Sequence, residues 1–263
     1  MSDNIWQIPN YEIIELKAKS TKYCICIPVI NEGERLKNQL KKMYNIAENI
    51  DILILDGGSS DSSTDPELLK ELGIRTLLIK KGLGKLSTQL RMGYAYALNQ
   101  GYDGIITIDG NNKDNVEAIF DFVKELDSGV DFVQGSRYLQ GGKAINTPLI
   151  RELAVKLIHI PLISFLAGFK YTDTTNGFRA YSRRLLLDPQ LQPFRDVFDT
   201  YELLAYISVK APKLGYIVKE TPVTRAYPKK GKVPTKISFI RGNFKILKIL
   251  LNIALGKYDV ESK

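Results

Sequence analysis

Three clusters of polar residues, PVINE (28 to 32), DGGSSD (56 to 61) and DGNNKD (109 to 114), each follow a short apolar run and carry carboxylates into a chain reversal. Carboxylates so placed accept hydrogen bonds from imide and hydroxyl donors. Together with other oxygens they also ligate hard cations. Arg137, Arg179 and Arg225 supply planar guanidinium forks of the type that grips phosphate, while Lys113 and Lys236 supply point charges. Histidine is not a basis for chemistry here: His159 is the only one, no ligand spacing surrounds it, and it is read as a packing residue. The glycine-rich KGLGKLS (81 to 87) fails as a dinucleotide fingerprint because Ser87 stands where a third glycine is needed, and it is read as a turn.

The apolar pattern predicts the elements that position these clusters. Residues 23 to 29, 51 to 55, 74 to 79, 104 to 108 and 131 to 134 are short β-branched or apolar runs bounded by turn residues, and are read as buried strands. Segments with helical spacing lie between them at 32 to 47, 65 to 72, 85 to 99 and 115 to 126. The alternation predicts an α/β fold with a mainly parallel central sheet flanked by helices. Ligands of such sheets bind beyond the carboxyl ends of the strands, where the three polar clusters fall, so their loops are expected to converge on one crevice. From 135 to 226 the pattern is less regular, with a helix before Phe169, a turn at Asn176-Gly177, a helix near 201 to 210 and a strand near 215 to 218.

A chain of 263 residues, 44% hydrophobic, is enough for one α/β unit with a real core and a tail. The net charge of +8 is concentrated: from 221 to 258 there are nine Lys or Arg and no Asp or Glu, whereas 28 basic and 29 acidic residues nearly cancel elsewhere. Phosphate or an anionic membrane is the expected partner of that segment. Nucleic acid is not, because the charge lacks interleaved aromatics and a recognised binding module. Residues 237 to 255 read as an amphipathic helix, with Arg241, Lys245, Lys248 and Asn252 on one face and Ile240, Phe244, Leu247, Leu251 and Ala254 on another. A bilayer, its own domain or a second subunit of an oligomer could each cover the apolar face. The apolar stretch 153 to 169 is broken by Lys156, His159 and Pro161 and falls short of the roughly 20 residues that span a bilayer. Cys24 and Cys26 are read as pointing to opposite faces of one strand, and so as buried reduced thiols that do not bridge each other. With no signal peptide at the start, a cytoplasmic protein held peripherally on the inner face of the membrane is expected.

From about Tyr23 to about Lys248 the chain resembles family 2 glycosyltransferases, and within them the branch typified by dolichyl-phosphate mannose synthase and polyprenyl-phosphate sugar transferases. CIPVINEGERL is similar to the family's opening strand with Pro and Asn-Glu, and DILILDGGSSDSSTD to its second strand and Asp-rich turn. VQGSRYLQGG and DTTNGFRAYSR look like the segments with Gly-Ser-Arg-Tyr and Asp-x-Thr-x-Gly-Phe-Arg. The resemblance implies a GT-A type nucleotide-sugar-binding fold, with an N-terminal extension (1 to 20), a catalytic domain (21 to 226) and a basic loop with the amphipathic helix (227 to 263). It implies that Pro28, Glu32 and Asp56 line the base and ribose pocket, with loop capping as the alternative for Asp56. Arg137 and Arg179 become candidates for an acceptor phosphate or the donor diphosphate, and Lys236 falls at the position of a terminal Lys/Arg loop. The less regular second half is assigned to the acceptor.

ITIDGNNKD is similar to the family's strand ending in Asp-x-Asp, which holds a divalent metal on the donor diphosphate. Asp109 takes the first position, but Asn111 replaces the second Asp, and Lys113 stands where a glutamine can complete the site. A weak Mg²⁺ or Mn²⁺ site at Asp109 and Asn111 is one reading, and a site in which Lys113 supplies the positive charge is the other. The implied reaction is inverting transfer of a sugar from a UDP, GDP or CDP donor to a polyprenyl phosphate or a lipid-linked or cell-surface glycan. Lys113, Lys236 and Arg225 are expected to stabilise the departing diphosphate. A hydroxyl acceptor would need a base, for which Glu202 and Asp199 are candidates, with helix capping as the alternative. A sugar-1-phosphate nucleotidyltransferase would share the sheet but needs a Gly-rich N-terminal loop that is missing here. A nucleic-acid-binding protein is the non-enzymatic alternative.

Overall fold

A computed structural model of the chain describes residues 6–228 and 239–260, with 239–246 described as backbone only. The strands are β1 (Tyr11–Glu15), β2 (Tyr23–Val29), β3 (Asp51–Asp56), β4 (Thr76–Lys80), β5 (Gly104–Thr107), β6 (Phe132–Ser136), β7 (Lys143–Ile145), β8 (Arg179–Ser182), β9 (Val218–Pro222) and β10 (Thr224–Ala226). The α-helices are α1 (Glu34–Lys42), α2 (Tyr44–Ala47), α3 (Pro66–Glu71), α4 (Leu86–Asn99), α5 (Ile119–Asp127), α6 (Leu149–Ala154), α7 (Ile160–Ala167), α8 (Arg183–Leu186), α9 (Glu202–Lys213) and α10 (Phe239–Ala254). A π-helical turn, Val155–His159, joins α6 to α7.

Eight strands form one sheet in the order β1-β4-β3-β2-β5-β8-β6-β9. Only β1 and β8 run antiparallel to their neighbours, so the sheet is mainly parallel, as the alternation predicts. Its strands alternate sides. Ile25, Ile27, Ile52, Ile54 and Ile106 face the layer of α1 and α5, whereas Cys26, Leu53, Leu55 and Ile105 face the layer of α4, α7 and α9. Cys24 lies in the same layer as Cys26, which corrects the expectation of opposite faces: residues two apart on a strand share a side. Both thiols are buried and free, and burial pushes Cys24 well up.

Two domain boundaries also change. Residues 11 to 15 are no extension but an edge strand, with Tyr11 opposite Lys80 and Glu15 opposite Thr76. At the other end α10 packs against α7 and α9, with Ile249, Leu250 and Ile253 buried in the main core. This helix therefore belongs to the same packed unit as the sheet.

Strand ends are tied where the loops leave them. The buried Gln89 of α4 donates from Nε2 to Val29 O at 2.8 Å and to Leu55 O at 3.0 Å, clamping the carboxyl ends of β2 and β3 together. Parallel β7 and β10 form a small second sheet beyond the end of β5.

Candidate active site

Asp109 follows β5 and is the pivot of the site. Its Oδ2 accepts from Arg225 Nη2 at 2.7 Å and from Asn111 Nδ2 at 3.2 Å. Arg225, on β10, also donates through Nη1 to Asp114 Oδ2, so one guanidinium bridges both acids of the DGNNKD turn. Burial raises the pKa of the Asp109 carboxyl, but the charge and hydrogen bond of Arg225, joined by Lys113 and Asn111, together outweigh it and hold Asp109 below the usual range. Burial dominates at Asp114 and pushes that carboxyl up. Arg225 stays protonated because the two acids outweigh its own burial. Lys113 sits in the same turn with Nζ 4.9 Å from the Tyr227 ring centroid; burial, and then Arg225, lower it to about 8.

Two glycines admit these contacts. A Cβ at Gly110 would lie 2.6 Å from Val29 Cγ1, and one at Gly177 would lie 2.6 Å from Asp109 Oδ1. Gly177 thus lets the 172–178 loop close over the carboxylate. Asn112 takes a positive φ of 56° and donates its N–H to Gln39 Oε1 on α1 at 2.7 Å, fixing the turn from the other side.

Above Asp109 opens a cavity of about 660 Å³. Its polar end is formed by Asp109, Arg137, Thr174, Thr175 and Arg225, and its walls by Leu149, Ile150, Val155, Ile163, Ile249 and Leu250. Arg137 is buried and held in a bidentate pair by Asp173, with Nε to Oδ2 at 2.6 Å and Nη2 to Oδ1 at 2.9 Å. Glu220 fixes that loop by accepting the backbone N–H of Thr172 and of Asp173.

Several sequence-predicted residues are engaged elsewhere. Arg179 borders the cavity, but four hydrogen bonds direct it to Asn176 O, Leu204 O, Ser208 Oγ and Thr174 O; its place is that of a clamp between loop and α9. Glu202, expected as a base or a helix cap, instead folds back on the residue before the N-cap and accepts from both the N–H and the hydroxyl of Thr200. Asp199 is likewise bonded to Thr88 Oγ1 at 3.0 Å. Asp56 turns inward and caps its loop, accepting from Gly58 N, Ser59 N and Ser59 Oγ, and from Thr64 Oγ1. Glu32 pairs with Arg35, and Pro28 lies within β2; none of Pro28, Glu32 and Asp56 lines the cavity, although their loops adjoin the Asp109 turn through Val29 and Gly110. Lys236 lies outside the described residues.

Arg151, Tyr201 and Tyr227 line the cavity as well, and no local pattern marks them as site residues. His159, expected in packing, reaches it from the π turn, and burial with the nearby Arg151 lowers its pKa. Among the described residues no group of three His, Cys, Asp or Glu converges as a metal site. A weaker site does fit. Asn111 Oδ1 is buried without a hydrogen-bond partner, and it stands beside the Asp109 carboxylate, whose Oδ1 is not used by Arg225. Two oxygens of that kind need further ligands from a bound molecule to hold Mg²⁺ or Mn²⁺.

The mainly parallel sheet, flanked by helices and opening into a charged crevice past β5, is an α/β architecture whose class the family match identifies as the GT-A fold of glycosyltransferases. Residues 24–188 match the family described as Glycosyl transferase family 2, and the chain belongs to that family. Among its relatives, polyprenol monophosphomannose synthase of Mycolicibacterium smegmatis is 26% identical over 209 residues, 76% of each chain. UDP-N-acetylglucosamine–dolichyl-phosphate N-acetylglucosaminyltransferase of Methanococcus voltae is 28% identical over 262 residues, 89% of this chain and 96% of the relative. In fold the chain is similar to glucosyl-3-phosphoglycerate synthase of Mycobacterium tuberculosis, solved with Mn²⁺, UDP and phosphoglyceric acid, at a TM-score of 0.62 and 13% identity. That likeness covers 89% of this chain and 76% of the other.

Proposed function

We propose that this glycosyltransferase moves a sugar, with inversion, from a nucleoside-diphosphate donor to a polyprenyl phosphate. The observation that carries this reading is the composition of the cavity: Asp109 is the only carboxylate among the described residues that line it. With Arg225 on its Oδ2 and its pKa held low, Asp109 is a poor proton acceptor. An acceptor hydroxyl requires a base, which among the described lining residues only His159, on the π turn of the cavity wall, would offer besides Asp109, whereas a phosphate oxygen arrives already anionic. Arg137, buried at the polar end, is fit to meet that phosphate, and the apolar walls suit the first isoprene units. The names of the polyprenol and dolichyl-phosphate relatives support the same acceptor class.

The donor diphosphate belongs at the Asp109 turn. Asp109 and Asn111, with donor phosphate oxygens, would hold Mg²⁺ or Mn²⁺, which supplies charge neutralisation to the leaving group. Residues 172 to 178 close the site on one side, and the Asp109 carboxylate, seated against Gly177, orients the turn.

An anionic membrane is the proposed docking surface. Along α6, the π turn and α7, which supply Leu149, Val155 and Ile163 to the cavity, Leu149 and Leu157 are each 70% exposed and Phe165 is 84% exposed, and Lys156 and Lys170 are exposed in the same stretch of chain. Basic residues near such a surface add on the order of 1 kcal/mol each. The test is transfer of labelled sugar from UDP, GDP and CDP donors, with polyprenyl phosphate or a neutral glycoside as acceptor. Label is expected in the lipid phase with polyprenyl phosphate. Equal transfer to the hydroxyl acceptor would refute the proposal.

A further inference from the structure

We propose that Glu220, on β9, is a positioning residue for the acceptor: its ionised carboxylate ends the chain of hydrogen bonds that holds Arg137 ready for the acceptor phosphate, and so sets acceptor affinity from outside the cavity. This rests on the acceptor reading above and names a side chain that controls it. Glu220 does not line the cavity. Its Oε2 accepts the N–H and the hydroxyl of Thr172, each at 2.8 Å, and its Oε1 accepts the N–H of Asp173 at 2.9 Å. The two residues so held place the Asp173 carboxylate, and Asp173 takes Arg137 through Nε, Nη2 and the backbone N–H.

The direction of the protons requires a charged carboxylate. Ser136, the residue before Arg137, has its Oγ 2.6 Å from Thr172 Oγ1 and already accepts the N–H groups of Tyr138 and Leu139, which fills its two lone pairs. Ser136 therefore donates to Thr172, and Thr172 donates to Glu220. A protonated Glu220 would present a donor where the chain ends on an acceptor, and one of its bonds would be lost. Burial raises the Glu220 carboxyl above the usual glutamate value in spite of the three hydrogen bonds, and the charge of Asp173 adds to the rise. Tyr171 is the other titratable group within its reach, Gln134 opposite it on β6 is neutral, and Lys219 beside it is paired with Glu125.

The donor end of the same loop has its own anchors. Asn176 O accepts from Gln134 Nε2 at 3.1 Å and from Arg179 Nε at 3.0 Å, and Thr174 O accepts from Arg179 Nη2 at 2.9 Å. The contact of Gly177 with Asp109 is thereby held without Glu220, so a loss at Glu220 falls on the acceptor.

Steady-state transfer to polyprenyl phosphate by the full chain and by Glu220→Gln tests this, with the nucleotide sugar that the transfer assay selects and with calorimetry of its nucleoside diphosphate. Glu220→Gln should raise the acceptor KM by about tenfold and leave kcat and nucleotide affinity within about threefold, tenfold being about 1.4 kcal/mol, the scale of one hydrogen bond to a charged group. Lowering the pH from about 8 to about 5.5 should raise the acceptor KM more steeply in the wild type than in Glu220→Gln; the second ionisation of the acceptor phosphate, at about 6, acts on both, so the difference between the profiles is the readout. If Glu220→Gln does not fold, Thr172→Val, which removes one hydroxyl from the chain, decides by the same KM measurement. An unchanged acceptor KM, parallel pH profiles, or an equal loss of nucleotide affinity overturns the assignment of Glu220 and leaves the acceptor reading intact. No transfer to polyprenyl phosphate by the wild type removes the acceptor reading and this inference with it.

Discussion

Gly177 is packed so closely on Asp109 that a Cβ at 177 would sit 2.6 Å from the carboxylate Oδ1. No side chain fits there without moving the acid. Gly177→Ala is therefore expected to cost on the order of 1–3 kcal/mol in stability by overpacking. Its effect on turnover should be larger, on the order of 10²-fold, because Asp109 orients the turn proposed to meet the diphosphate. Steady-state kinetics beside a urea melt checks this, and unchanged kcat/KM would detach Asp109 from the reaction.

With Lys113 beside the proposed diphosphate site, nucleotide affinity is expected to depend on pH. The lysine's pKa, lowered to about 8 by burial and by Arg225, means that the ammonium is charged below that pH and neutral above it. Affinity for the nucleoside diphosphate should fall as pH rises from 7 to 9.5, and Lys113→Gln should flatten this step. Stability moves oppositely. Because the unfolded lysine holds its proton to a higher pH, unfolding free energy should rise between about 8 and 10.5 in the wild type. Equal pH profiles for the two proteins would show that Lys113 does not face the ligand.

The Arg137–Asp173 pair is buried on both sides, with side chains 2% and 0% exposed. Removing one partner strands the other charge, so Asp173→Ala should destabilise the protein by about 3–5 kcal/mol. Acid should act on the same pair. Burial raises the Asp173 carboxyl, but Arg137 outweighs it and holds it below its usual value, so this contribution is present at neutral pH and is lost as pH falls through that lowered value. Denaturant melts from pH 7 to pH 3 measure both effects. A loss under about 1 kcal/mol would mean that the loop reorganises around Arg137.

Membrane docking is tested by charge placed on the exposed apolar face. Leu157→Glu and Phe165→Glu together should reduce sedimentation with anionic vesicles several-fold and change the melting temperature little, because both side chains are exposed. Truncating α10 is a poorer experiment, since Ile249 and Leu250 close the cavity wall. Undiminished vesicle binding by the double variant would move the contact elsewhere.

The sheet was legible because strands buried on both faces read as unbroken apolar runs, and DILIL and GIITI needed no partner to be recognised. Strand β1 was not, because YEIIE is a half-exposed edge whose worth depends on pairing with β4. Within the site, Asp109 and the Asn176-Gly177 turn stood out as local patterns. The contact of Arg225 with Asp109 joins residues 116 apart in the chain, and its geometry has no local signature. For Asp56 and Glu202 the sequence leaves ligand contact and capping open, because a carboxylate after a strand or at a helix start serves a substrate or the adjacent backbone equally well. Their hydrogen bonds to Ser59 and Thr200 decide for the backbone.

The π turn at Val155–His159 holds one more residue than an α-helical path would, and so it sets the rotational phase between α6 and α7. Each residue along a helix turns the face by about 100°. Deleting a single residue from this turn would let the two helices run on as one regular α-helix. It would also swing one of the two flanks, with Leu149 and Ile150 on one side and Ile163 on the other, relative to the cavity they share. One codon could thereby reshape the apolar wall of the cavity without touching Asp109, Arg137 or Arg225.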